Sequence, residues 1–159
     1  MSDNWEAFAA ALQDESASIA RLNVAALALT QVLVQGEPGE IMRADRELNA
    51  ARQEHSGATG KRRGMQARGF GTMTLQQVCQ YAPSNLAGQF NQRLSEITCG
   101  AIQLGITISN NKALIMSGLA RLMSVTSKLQ ESASDRPGVY KRRGFVPPPD
   151  GSVLVSSKC

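Results

Sequence analysis

The sequence predicts an all-α protein, an elongated antiparallel helical bundle or coiled-coil hairpin of three main helices, and three observations predict it. Two long stretches repeat their apolar residues in alternating steps of three and four, as helices do when they pack along a seam. Aromatic residues make up only 4% of the 159 residues while alanine is abundant, which suits close helix packing better than a sandwich. Finally, Gly and Pro fall where the periodic stretches weaken or stop, around 36–39, 57–71 and from 137 onward.

The first helix, about 3–35, opens at Asp3 or Asn4, either of which can accept from the free amides of the first turn. Its core line is Trp5, Phe8, Leu12, Glu15, Ile19, Leu22, Ala26, Leu29 and Leu33, broken only by Glu15. Gly36-Glu37-Pro38-Gly39 ends it, Gly36 taking the left-handed cap and Pro38 stopping the ladder. A second helix, about 40–67, reads as Ile41, Ala44, Leu48, Ala51, His55 and Ala58. Its knobs shrink along its length, and each glycine from Gly57 onward costs up to about 1 kcal/mol relative to Ala, so its second half needs tertiary support. Thr74 and Gln77 stand at capping-box spacing before Val78, predicting a short helix over 74–81. Pro83 and Ser84 open the last main helix, about 84–131.

In that helix the seam runs Phe90, Leu94, Ile97, Ala101, Leu104, Ile108, Asn111, Ile115, Gly118, Leu122, Val125 and Leu129. At about 1.5 Å per residue it would reach roughly 65 Å, which predicts a rod. A second apolar line (Ile102, Ile106, Ala113, Met116, Ala120, Met123) lies beside the seam and widens it, leaving apolar width for a partner. Asn111 and Glu15 are the two polar breaks in the seams, and a buried polar residue at such a position fixes the register of pairing. With the first and last helices parallel, the two are expected at one height and bonded to each other. Residues 1–132 form the helical domain. Residues 133–159 read as a flexible tail, rich in Pro and Gly but carrying apolar Val139, Tyr140, Phe145, Val146 and Val153-Leu154-Val155 as docking residues. For 153–155, packing back on the bundle stays open.

The net charge of +4 is unevenly placed: residues 1–40 carry minus five, whereas Lys61, Arg62, Arg63 and Arg68 add four without an acid between them. That cluster has no interleaved aromatics and reads as a solvated connection rather than a nucleic-acid site. Cys79, Cys99 and Cys159 are odd in number and have no ligand-spaced neighbour, so neither a disulfide framework nor a metal site is expected; Cys79 and Cys99 are read as partly buried small apolar residues and Cys159 as exposed. No phosphate loop, metal cluster or nucleophile arrangement is present in the sequence, the lone His55 has no evident catalytic partner, and no enzyme activity or cofactor is expected. The start has no basic leader, and no apolar run is read as approaching the roughly 18 residues a membrane span needs, so a cytoplasmic protein is expected.

Across nearly its whole length the spacing resembles the FlgN family of flagellar type III export chaperones. The resemblance rests on Thr74-Leu75, then Pro83, then Ile108 to Ile115 with Asn111 followed by Leu114 and Ile115, on Leu12 and Glu15 in the first seam, and on Tyr140 with Gly144 in the tail. Where the family has an earlier Asn, this chain has Thr107. The resemblance implies a non-enzymatic chaperone that holds hook-filament junction proteins (hook-associated proteins), prevents their premature assembly and delivers them to the export gate. The end of the last helix and the tail would bind the client's terminal helical segment, and Tyr140 would dock on the cytoplasmic domain of the gate protein. For the client, the residues outside the main seam, Met116, Leu119, Ala120 and Met123, are the candidates, because Met repacks readily around different partners; that these residues pack on the second helix stays open. Two rival readings are a basic helical adaptor that binds nucleic acid and a structural homo-oligomeric coiled coil, the latter leaving a homodimer open.

Overall fold

The computed structural model describes residues 2–134, and all of its regular structure is helical: α1 (Ser2–Gln35), α2 (Pro38–Phe70), α3 (Leu75–Gln80) and α4 (Ser84–Ser134), with no strand among the described residues. The chain divides into two units, Met1–Ser117 and Gly118–Cys159.

In the first unit α1 is the central element. Its predicted line is the inward one: Phe8, Leu12, Ile19, Leu22, Ala26 and Leu29 are buried, and Trp5 and Leu33 are half-buried. Gly36, at φ 79°, caps α1 by donating its amide to Val32 O at 2.9 Å, and Pro38 starts α2 where its missing donor leaves no gap in the ladder. The chain therefore reverses within three residues, and α2 runs antiparallel to α1. Ion pairs set that register: Arg21 with Glu54, Asp14 with Lys61 at 3.0 Å, and Glu15 with Arg62 at 2.7 Å. α2 continues as helix through its glycines to Phe70, beyond the expected end near 67.

The fold is closed at one end by an aromatic cluster. Trp5 meets Phe70 at 4.6 Å between ring centroids and Phe90 at 5.8 Å, and Phe8 meets the same two rings at 5.0 and 5.8 Å. α3 adds Val78 and Cys79 to this core. Its capping box forms as the sequence spacing requires: Gln77 N donates to Thr74 Oγ1, and Thr74 N donates to Gln77 Oε1 at 2.8 Å. Pro83 O then accepts from Leu86 and Ala87, opening α4.

Up to Ser117, α4 lies along α1 in the same direction. Ser16 reaches Glu96, Asn23 reaches Gly100, and Thr30 reaches Asn111, so the two helices ascend together. The inward line of α4 follows the predicted seam at Phe90, Leu94, Ile97, Leu104 and Asn111, which are buried or half-buried, and departs from it by one residue at the alternate positions from 100 onward. Gly100, Thr107 and Leu114 take the positions assigned to Ala101, Ile108 and Ile115; Thr107 is 3% exposed, whereas Ile108 and Ile115 are 47% and 44% exposed. A Cβ on Gly100 would lie 3.1 Å from Ile19 Cγ2, so glycine is what lets the two backbones approach.

One further expectation is corrected. By length and composition alone, the stretch Asn4–Gln35 of α1 is apolar enough to cross a membrane, because from Leu22 to Gln35 it carries no charge. In the fold this same stretch supplies the groups that bind α2 and α4.

In the second unit the described residues are the last turns of α4, from Gly118 to Ser134. Every side chain from Gly118 to Ser132 is exposed. The tail residues 135–159, with Tyr140, Cys159 and the apolar residues from Val139 to Val155, lie outside the described residues.

Candidate functional site

The polar breaks of the two seams have separate partners. Glu15, 3% exposed, receives Arg62 Nε at 2.7 Å, Arg62 Nη2 at 3.2 Å and Thr59 Oγ1 at 2.9 Å, all from α2. Burial pushes its carboxyl up, but the Arg62 and Thr59 hydrogen bonds with the charges of Arg62 and His55 outweigh burial and leave it below its ordinary value. Asn111, 5% exposed, donates to Ala26 O at 3.0 Å and has Thr30 Oγ1 2.7 Å from its Oδ1. Glu15 and Asn111 therefore stand at different heights and are not bonded to each other. Each ties α1 to a different neighbour, Glu15 to α2 and Asn111 to α4, and a misregistered helix would strand a buried polar group.

Of the basic cluster of α2 only Arg62 is buried, while Lys61, Arg63 and Arg68 are exposed as expected of a solvated segment. Lys61 pairs with Asp14 and Arg62 with Glu15, so only Arg63 and Arg68 of the four cations remain without an ion pair among the described residues. The buried role of Arg62 was missed by the sequence reading, although a signal existed. Continuing α2's inward line from Ala51, His55 and Ala58 by the same steps reaches Arg62, facing the one acid on α1's line.

Other reactive groups are placed as follows. Ser18, 1% exposed, donates to Glu15 O at 2.8 Å; with that proton committed, the 2.9 Å contact to His55 Nδ1 is a bond donated by the ring. The pair staples α2 to α1, and the buried hydroxyl is closed to a substrate. Cys79 is buried, which pushes its thiol up against the lowering effect of the Arg62 charge, whereas Cys99 is exposed rather than partly buried as expected. No group of three or more potential metal ligands occurs among the described residues.

What remains is exposed apolar surface, and the larger share of it lies on α4. In the first unit Ile102 and Ile106 are 62% and 52% exposed, and Met116 is 59% exposed. In the second, Leu119, Leu122, Met123, Val125 and Leu129 are exposed by 50% to 71%, and Ala120 is exposed with them. The four predicted client residues are therefore all at the surface. Leu122, Val125 and Leu129, expected to face inward along the main seam, are at the surface too. Thr126 Oγ1 donates back to Leu122 O at 2.9 Å, so its hydroxyl is satisfied within the helix and its methyl joins this apolar face. Five large apolar side chains at helical spacing within three turns, all exposed, form a contiguous apolar face rather than scattered surface residues.

No family model matches the chain, no curated protein matches it, and no solved structure matches it.

Proposed function

We propose that the chain is a cytoplasmic, FlgN-like export chaperone that binds the terminal helical segment of flagellar hook-filament junction proteins, keeps them from premature assembly and hands them to the export gate. In this reading the first unit is an elongated three-helix bundle, α1 with α2 antiparallel and α4 parallel, and needs no cofactor or catalysis. The observation that carries the proposal is the exposed apolar face of α4 around Leu119, Leu122, Met123 and Leu129. A client whose end forms an amphipathic helix would be covered by such a face in helix-in-groove fashion, with methionines able to accommodate more than one client. Met116 and Ala120 extend the contact, and Tyr140 docks on the cytoplasmic domain of the gate protein. Glu15 and Asn111 hold register and make no contact with the client.

The test is co-purification of the full chain with candidate junction proteins, beside a chain truncated after Glu131 and the variant Tyr140→Ala. Capture of a junction protein by the full chain is expected, with Tyr140→Ala keeping the client and losing the gate domain. If no junction protein is captured by either length of chain, the proposal fails.

A further inference from the structure

We infer that the helix docking on α4 after Ser117 carries acidic side chains along one edge of its apolar seam, one heptad apart, placed to meet Arg121 and Lys128. The inference rests on the reading of this face as a client-binding surface and adds the chemistry of the client.

At 3.6 residues per turn, Leu119, Leu122, Val125, Thr126 and Leu129 share one face of the helix. Arg121 and Lys128 stand together along one edge of that face, next to Val125, while Met123 and Gln130 border the other edge. Both cations are exposed and have no ion pair among the described residues. The segment's one acid, Glu131, falls on the back of the helix with Ser124 and Ser127. The edge is thus cationic, unneutralised and periodic: Arg121 and Lys128 are one heptad apart, about 10 Å along the axis. In paired helices, residues at such flanking positions meet the flanks of the partner and choose it by charge. The partner that fits has carboxylates at the same heptad spacing.

Two other occupants fit poorly. A second copy paired antiparallel would set the cationic edge against itself, and one paired parallel would set it against the opposite flank, Leu119 and Thr126, which offers no carboxylate. The chain's own residues 135–159 carry five cations against Asp135 and Asp150 and would repel the edge rather than neutralise it.

The experiment uses full-length protein and two synthetic three-heptad helical peptides with the same leucine seam, one flanked by glutamates and the other by lysines. Affinities are measured by titration calorimetry at low salt, where exposed charge pairs are least screened. The glutamate peptide is expected to bind about tenfold tighter, a preference that shrinks as salt is raised. The double variant R121E/K128E is expected to invert the preference, with an unchanged helical circular dichroism signal. Leu122→Gln with Leu129→Gln should weaken both peptides alike. Equal affinity of the two peptides for the unaltered protein, or a preference that survives the charge reversal, overturns the inference while leaving the docking face intact. Binding of neither peptide overturns the docking reading along with it. Self-association through this face, unaffected by R121E/K128E, would show that the edge does not select the partner and would also overturn the inference.

Discussion

The Glu15–Arg62 pair is the most consequential single contact, because both groups are nearly fully buried, with side chains 3% and 10% exposed. Removing one partner strands the other charge, so Glu15→Leu or Arg62→Met alone is expected to cost about 3–5 kcal/mol in chemical denaturation. The double variant removes both charges together and is expected to recover most of that loss; two costs that simply add would refute the idea that the penalty comes from an orphaned charge. Acid sensitivity follows from the same kind of bonding. Glu96 accepts from Ser16, Arg93 and Gln92, which hold its carboxyl down to about 2 from an ordinary value of 4.5. A depressed folded value means that its contribution is present above about 4.5 and is lost as pH falls toward about 2. Glu15 has the same sign. Glu96→Gln should therefore flatten the decline in stability over that window, and a decline as steep as in the unaltered protein would count against it.

At the scale of the helices, glycine has opposite meanings in α2 and α4. A Cβ at Gly60 meets nothing within 4 Å, so Gly60→Ala should stabilise the protein by about 0.5–1 kcal/mol through helix propensity alone. At Gly100 the same change presses on three side-chain carbons of Ile19, the nearest at 3.1 Å, so it should destabilise. Thermal melts giving both variants the same sign would contradict this contrast. Gly100 also explains what could be read from the sequence and what could not. The line of α1 was legible because its large apolar residues are the ones packing needs. In α4 the predicted and observed lines share Phe90, Ile97, Leu104 and Asn111 and differ by one residue at the positions between, where periodicity favours Ala101, Ile108 and Ile115 for their size. Packing instead selects Gly100, whose missing side chain lets α4 approach Ile19 and Asn23, and the small Thr107. A hydrophobic pattern reports how much a residue gains from burial and is silent on how closely two backbones must meet. Arg62 was hidden for the related reason that a charge looks solvated until its facing acid is placed. The width of the apolar stripe marks the client candidates Met116, Leu119, Ala120 and Met123, while the pattern places Leu122, Val125 and Leu129 inward because hydrophobic periodicity does not distinguish a buried seam from an exposed apolar face.

For the molecule as a whole, these observations separate the residues that hold the fold from those available to a partner. Phe8, Leu12 and Phe90 are buried to within 1% of full coverage, whereas Leu122 and Leu129 are 65% and 64% exposed. Phe8→Ala should then cost about 3–5 kcal/mol, by lost transfer and by the cavity left among Trp5, Phe70 and Phe90. Leu122→Gln with Leu129→Gln keeps helix propensity nearly constant and removes no internal contact, so the unfolding free energy should move by no more than about 0.5 kcal/mol. If the exposed face serves a client, the same double variant should lose most of its capture of junction proteins in co-purification. The pairing of the two measurements decides the matter. Loss of capture with unchanged stability places the affinity on this face, since an unfolded or loosened chain could not give both results. Retained capture with unchanged stability would move client binding elsewhere on the chain, and a large loss of stability would mean that Leu122 and Leu129 are covered in solution rather than free.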